Sequence, residues 1–418
     1  MTLIYVYAIS HNFYVAIPNY FAALFTTHMR ILKKITIVII SLLLIAALGL
    51  YFSGNKHVLN GITKTYFVGK SKPDIDDMTY FDVSNIKADH PEPWAIHNAY
   101  NLGMIPLEYL PMVDSMETTA LLVFKDDALL FEKYWGNVNE KTTSNSFSMA
   151  KSFTAMLVGK AVQEGYIKSL EQPVGDFLPE FREGISASLT IRHLLQMTSG
   201  IPFGESYSSP FGYMAKSYYG DDLVGETMKF RVEKTPGTLW AYEGGNSVLL
   251  GMILEKATGR TVSDYFFQKI WSCIGAENDA HWNLDKEKGL AKTFSGFYAT
   301  PRDFARIGKL YLQNGVWGKD TILDPAFVHE CVTPVNVPDI NGEACYWYGL
   351  NWWLGQYEGK KLISCRGMRG QYIAIIPEDN LIVVRTGHMQ SSERKDHMPP
   401  DLFTYLDIAS SIVSQIKY

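Results

Sequence analysis

Cysteine is scarce in this 418-residue chain. Cys273, Cys331, Cys345 and Cys365 are the four, too few for disulfides to hold a fold of this size. No pair is spaced C-x-x-C, and neither H-E-x-x-H nor a clustered His–carboxylate set occurs. The pattern therefore predicts no structural zinc and no helical metalloprotease site; no metal and no other cofactor is expected. Positive charge is not in excess either: 38 Lys plus Arg stand against 43 Asp plus Glu, a formal net charge of −5. That balance argues against nucleic acid as a partner. With 19% charged and 47% apolar residues, global disorder is excluded and a sizeable core is possible.

One long apolar run is present. Ile35 to Phe52 carries no charge and follows Arg30, Lys33 and Lys34. A helix needs about 20 residues to cross the hydrocarbon, so this run meets the lower limit of a span. It ends Leu48-Gly49-Leu50-Tyr51-Phe52, with no A-x-A-like site and no cysteine after it. That ending favours an uncleaved anchor over a cleaved signal peptide and excludes lipoprotein processing. Lys56, Lys64, Lys70 and Lys72 follow the run, so the positive-inside count does not decide orientation. Residues 1–28 hold no Asp, Glu, Lys or Arg, whereas Met29-Arg30-Ile31-Leu32-Lys33-Lys34 reads like the start of an export segment. Translation is therefore expected to begin at Met29. Residues 1–55 are read as an export or membrane-anchor segment, with the membrane contacted through residues 35–52. Residues 56–110 are read as a polar tether and lead-in, and residues 111–418 as the globular body.

Within the body, Thr119 to Phe124 and Ala128 to Tyr134, split by Lys125-Asp126-Asp127, predict a strand hairpin. From Ser148 the period turns helical, with Met149, Phe153, Met156, Leu157 and Val162 on adjoining faces until Gly165. Mostly helical segments follow through Leu312. Strands return at Gln371 to Ile376 and Leu381 to Arg385, and a last amphipathic helix runs from about Asp401 to Ile416. Strands from both ends around a helical middle predict an α+β fold: one sheet built by both ends of the chain, with a helical insertion.

Ser148-Met149-Ala150-Lys151 is the motif that carries chemistry. S-x-x-K at a helix start sets serine and lysine one turn apart on one face. Serine is a weak nucleophile that needs an adjacent base, and a neutral lysine can take its proton. The tetrad also occurs at Ser53, Ser84, Ser392 and Ser414, and context separates them. Ser53 borders the apolar run, Ser84 lies in the lead-in, Ser392 sits in a charged loop and Ser414 falls in the last turn. Only Ser148 opens a long helix without breakers just after a hairpin.

Further motifs follow in order: Leu189 to Gly200 (LTIRHLLQMTSG), Pro236-Gly237, Tyr242 through Leu249-Leu250-Gly251, and Tyr298 to Gly308 (YATPRDFARIG). Together with Ser148 to Lys151 they resemble the serine β-lactamase-like superfamily, nearest to class C β-lactamases, related esterases and nylon-oligomer hydrolases. The resemblance spans roughly residues 110–415 and implies a β-lactamase/transpeptidase-like fold. It implies Tyr242 as the second catalytic hydroxyl, although Gly244 stands where the family's Y-x-N motif has asparagine and Asn246 comes two residues later. The family's K-T-G or H-x-G motif is matched by Cys365-Arg366-Gly367, of which only the glycine survives. By resemblance these three are the substrate-binding residues, the glycine leaving room for substrate along the strand edge, and the backbone N–H groups of Ser148 and Met368 form the oxyanion hole. Arg366 or Arg369 is a candidate for a substrate carboxylate. Tyr346, Trp347, Tyr348, Trp352 and Trp353 are candidates for an acyl pocket or for core packing.

The implied activity is a serine hydrolase cleaving a small-molecule carboxylic ester or amide through an acyl-enzyme on Ser148. The anchor and the resemblance together imply a single-pass membrane protein whose catalytic domain lies outside the cytoplasm, periplasmic or extracellular. A β-lactamase or D-alanyl-D-alanine peptidase, and a non-catalytic penicillin-binding-like scaffold, are the alternatives. Gly244 and Cys365 count against the first, and the intact Ser148, Lys151 and Tyr242 set counts against the second. Cys331 and Cys345 are the nearest cysteine pair, and unpaired thiols are expected.

Overall fold

The computed structural model describes residues 3–416, with side chains from Leu24 onward, and divides into two compact units, residues 1–60 and 61–418. The first is dominated by one helix, α1 (Leu3–Phe52). Its Leu24–Phe52 portion is long and apolar enough to cross a membrane, a form shared by membrane anchors and signal sequences. Arg30, Lys33 and Lys34 continue the helix instead of ending it, since long basic side chains are good helix formers. The side chains of residues 1–23, on which the proposed start at Met29 bears, lie outside the described residues.

The second unit is built on a six-stranded sheet. Its strands are β2 (Thr118–Lys125), β3 (Ala128–Tyr134), β9 (Trp353–Tyr357), β10 (Lys360–Gly367), β11 (Gln371–Ile376) and β12 (Leu381–Gly387), after β1 (Val83–Ile86) of the lead-in. They lie in the order β3-β2-β12-β11-β10-β9, every neighbouring pair antiparallel. The two ends of the body thus meet at the β2–β12 pair, as the sequence predicts. The β2–β3 turn works because Asp126 and Asp127 both adopt positive φ, 50° and 66°, a twist that suits a two-residue hairpin.

Both sheet faces are covered, which period-2 alternation makes possible. Ala120, Leu122, Phe124, Ile373, Ile375 and Val384 point into the larger core with helices α2 (Met149–Gln163), α3 (Gly244–Thr258) and α4 (Pro301–Leu312). Leu121, Val123, Ala374, Ile376 and Val383 face the smaller core under the C-terminal helix α5 (Pro400–Gln415).

A second sheet, in the order β1-β5-β6-β4, contains β4 (Ser144–Asn145), β5 (Ala280–Asn283) and β6 (Phe297–Ala299). A two-residue pair, β7 (Val316–Trp317) with β8 (Asp320–Thr321), stands apart. The lead-in is more ordered than its composition suggests. β1 pairs with β5, and Ile75, Ile86 and Trp94 are buried in the larger core. Single apolar residues in a polar background bury one at a time, so averaged polarity hides them. All four cysteines are free thiols.

Candidate active site

The turn before α2 is built by side chain–backbone bonds. Asn145 Oδ1 accepts from the Phe147 N–H at 2.8 Å, and the Ser146 N–H donates to the Phe297 carbonyl at 2.7 Å. Asn145 Nδ2 is itself held by the Tyr298 hydroxyl at 3.1 Å. Phe147 consequently sits at φ 44°, a left-handed conformation that costs a non-glycine residue about 1–2 kcal/mol. The strained turn delivers Ser148 to the N-cap of α2, half-buried and facing open space.

One turn on, Lys151 is 1% exposed. Its Nζ lies 3.0 Å from Ser148 Oγ and 3.1 Å from the Phe294 carbonyl. Both partners are neutral oxygens. The same nitrogen stands over the ring of Tyr242, 4.9 Å from its centroid. Ser148, Lys151 and Tyr242 are therefore brought together. Tyr242 is held edge-on to Tyr348 and tilted against Trp353, with centroids at 6.0 and 5.4 Å.

At Gly244, which stands in place of the family's asparagine, the packing is close. The Gly244 N–H donates to Glu205 Oε2 at 2.6 Å, and a Cβ on Gly244 would stand 3.1 Å from that oxygen. Asn246 does not substitute for the missing side chain: it is fully buried and directs Nδ2 to Met197 Sδ at 3.4 Å. Glu243, between Tyr242 and Gly244, has its carboxyl pushed up to about 8 by burial and then by the nearby Glu205 carboxylate, so it holds a proton at neutral pH.

At the third motif the structure separates the expected substrate-binding residues. Cys365 is fully buried in the larger core, its thiol pushed up by burial, and it does not line the cleft. Neighbours on a strand point to opposite faces, so Arg366 points the other way and lines the cavity beside Ser148. Its guanidinium stacks 3.5 Å over Trp353, and Nη1 donates to the His397 carbonyl at 2.9 Å. Burial lowers it from its ordinary value without discharging it at neutral pH. Gly367 lines the same cavity, but its want of a side chain is enforced elsewhere: a Cβ would meet the Ser146 carbonyl oxygen at 2.1 Å. Arg369 is turned away from the cleft. It donates from Nε to the Pro73 carbonyl and from Nη1 to the His388 carbonyl, both at 2.6 Å, fastening the lead-in to this edge.

Two cavities meet at Ser148. The larger, about 890 Å³, is walled by Trp240, Tyr242, Tyr346, Trp347, Trp353 and Arg366. Of the five aromatic candidates, Tyr346, Trp347 and Trp353 line it, whereas Tyr348 and Trp352 are core residues. The smaller, about 460 Å³, is mostly apolar in its walls. Ser148, Met368 and Tyr207 border both. Tyr207, whose hydroxyl donates to Glu205, carries no sequence signal. It lies in a Ser- and Gly-rich loop, and nothing local distinguishes it from any loop tyrosine.

A model of the Beta-lactamase family matches residues 111–400. An uncharacterized protein of Alkalihalophilus pseudofirmus is 25% identical over 324 residues, covering 69% of this chain and 86% of that protein. The 6-aminohexanoate-dimer hydrolase of Paenarthrobacter ureafaciens is 24% identical over 290 residues, covering 64% and 72%. Among solved structures, a candidate 6-aminohexanoate-dimer hydrolase from Bacillus anthracis superposes with a TM-score of 0.68 at 20% identity, over 86% of this chain and 95% of that one. A D-stereospecific amidohydrolase from Streptomyces sp. gives 0.54 at 19% identity, over 70% and 93%. At these identities the superpositions establish a shared fold.

Proposed function

The chain belongs to the beta-lactamase family of serine hydrolases, and from that premise we propose that Ser148 is the nucleophile, with Lys151 and Tyr242 as its proton partners, in the cleavage of a carboxylic ester or amide. The observation that carries this reading is the 3.0 Å approach of Lys151 Nζ to Ser148 Oγ, with Tyr242 packed on the same nitrogen.

Ser148 Oγ attacks the carbonyl carbon and passes its proton to Lys151. The new oxyanion accepts from the backbone N–H groups of Ser148 and Met368, two residues that both line this cavity. One such donor is worth about 100–1,000-fold in rate. The bond from carbonyl carbon to leaving group then breaks, and the leaving oxygen or nitrogen takes the proton through Tyr242. Water attacks the acyl-enzyme, gives its proton to the same pair, and releases the acid and a restored Ser148 hydroxyl.

Arg366 is the one residue of the Cys365-Arg366-Gly367 motif offering a charged group to the cleft, and on this reading it faces the leaving-group half. Similarity to the 6-aminohexanoate-dimer hydrolase of Paenarthrobacter supports keeping amides in the substrate class beside esters. Helix α1 anchors the chain in the membrane, with the catalytic unit on the outer side. Ser148→Ala, which removes one hydroxyl, tests the assignment. It is expected to lower p-nitrophenyl ester turnover by at least about 10⁴-fold with an unchanged circular dichroism spectrum. Retained turnover would remove Ser148 from the mechanism.

A further inference from the structure

The two cavities that meet at Ser148 differ in chemistry. The larger offers Arg366, Tyr242 and several acidic side chains. The smaller, about 460 Å³, is walled by Phe147, Met214, Ala215, Tyr218, Tyr219 and Phe294, with Lys72 and Pro73 of the lead-in also bordering it. Tyr242 lines only the larger. On the reading above, Tyr242 delivers the proton to the departing atom, so the leaving group occupies the larger cavity. The acyl carbon, bonded to Ser148 Oγ and with its oxygen between the Ser148 and Met368 N–H groups, then directs its substituent into the smaller.

We propose that the smaller cavity is the acyl pocket and that the substrates are esters or amides of compact hydrophobic acids. A volume of this size matches a small-ligand pocket, and its walls offer an alkyl or aryl chain contact rather than hydrogen bonds. The aromatic wall of Tyr346, Trp347 and Trp353 belongs on this account to the leaving-group side. The lead-in is part of the specificity apparatus, since the Arg369–Pro73 bond holds its turn at the pocket.

The proposal rests on the Ser148 mechanism, and one experiment separates the two. The full chain in detergent is assayed with p-nitrophenyl acetate, butanoate and hexanoate, and treated in parallel with a fluorophosphonate. The expected result is kcat/KM rising about fourfold per added methylene, the factor that burying one such group supplies. Ala215→Phe, at a partly exposed wall position, should cut the hexanoate-to-acetate ratio at least tenfold. Ser208→Phe, on the exposed rim, is a second blocking variant should the first fail to fold. Ser148 labelled and acetate hydrolysed, but with a flat or falling chain-length profile, overturns the acyl pocket alone. An unchanged ratio in the blocking variants does the same. Neither labelling nor hydrolysis of any ester overturns the mechanism and the pocket together.

Discussion

The backbone of Gly367, at the end of β10, lies so close to the Ser146 carbonyl that a Cβ there would stand 2.1 Å from the oxygen. The third motif thus abuts the strained turn that presents Ser148, two residues away. Gly367→Ala creates a clash with backbone, which no rotamer relieves. It should lower the melting temperature and cut ester kcat/KM by about 100-fold or more, because a shift of about 1 Å at the reacting groups costs that much. Melting curves and turnover unchanged from the parent would contradict this.

Lys151→Ala should slow acylation by about 10²–10⁴-fold, the usual worth of a positioned base. Lys151→Arg should not restore it, since a guanidinium stays charged and cannot accept the proton. Rapid-mixing measurement of the p-nitrophenolate burst reads acylation directly. A normal burst in either variant would mean another group receives the proton.

Substrate preference follows from Gly244 and Cys365. The first presents only an N–H, already taken by Glu205, and the second is buried in the core. Polar anchors used by β-lactam-directed relatives are thereby missing, and a site without them gains nothing from the substrate that pairs with them. Measurable kcat/KM is expected for p-nitrophenyl esters, with little or none for penicillins and cephalosporins. A β-lactam value above that of every ester would reverse the ranking.

Two buried groups give stability a pH dependence of opposite sign. Lys292 is fully buried with its amine over the rings of Phe81 and Tyr218. Burial first, and then Lys64, pulls it from 10.5 to about 7. Between those values the unfolded chain holds the proton that the folded one has lost, so this group makes stability rise with pH across that window. Glu243 runs the other way. Raised from 4.5 to about 8, it is protonated when folded and ionised when unfolded, so its stabilisation is full below about 4.5 and lost as pH climbs through 8. Urea unfolding across pH 5–10 should show Lys292→Met more stable than the parent at neutral pH with the upper rise flattened. Glu243→Gln should flatten the lower fall. Parallel curves for parent and variants would contradict both assignments.

The sequence carried the parts of the site that are local. Ser148 and Lys151 share one helical turn, and the β2–β3 hairpin and the β11–β12 pair are short, mainly apolar runs split by polar turns. Tyr242 is legible only through resemblance, because its meeting with Lys151 spans 91 positions that no periodicity connects. β9 and β10 were harder to read: Trp353–Tyr357 and Lys360–Gly367 mix glycine, charge and cysteine, and their strand character comes from pairing with β11. The alternation rule could have separated Cys365 from Arg366 in advance, since adjacent strand residues cannot both face one cleft. The Glu205–Gly244 bond and the placing of Tyr207 at the junction of two cavities are long-range consequences of packing, and no local signal encodes them.

The most direct test of the central claim is active-site labelling. The full chain is treated with a fluorophosphonate, digested, and its modified peptide sequenced by mass spectrometry. The expected result is one stoichiometric adduct on Ser148, absent from Ser148→Ala and much slowed in Lys151→Ala. An adduct on Ser53, Ser84, Ser392 or Ser414, or labelling that persists in Ser148→Ala, would contradict the account.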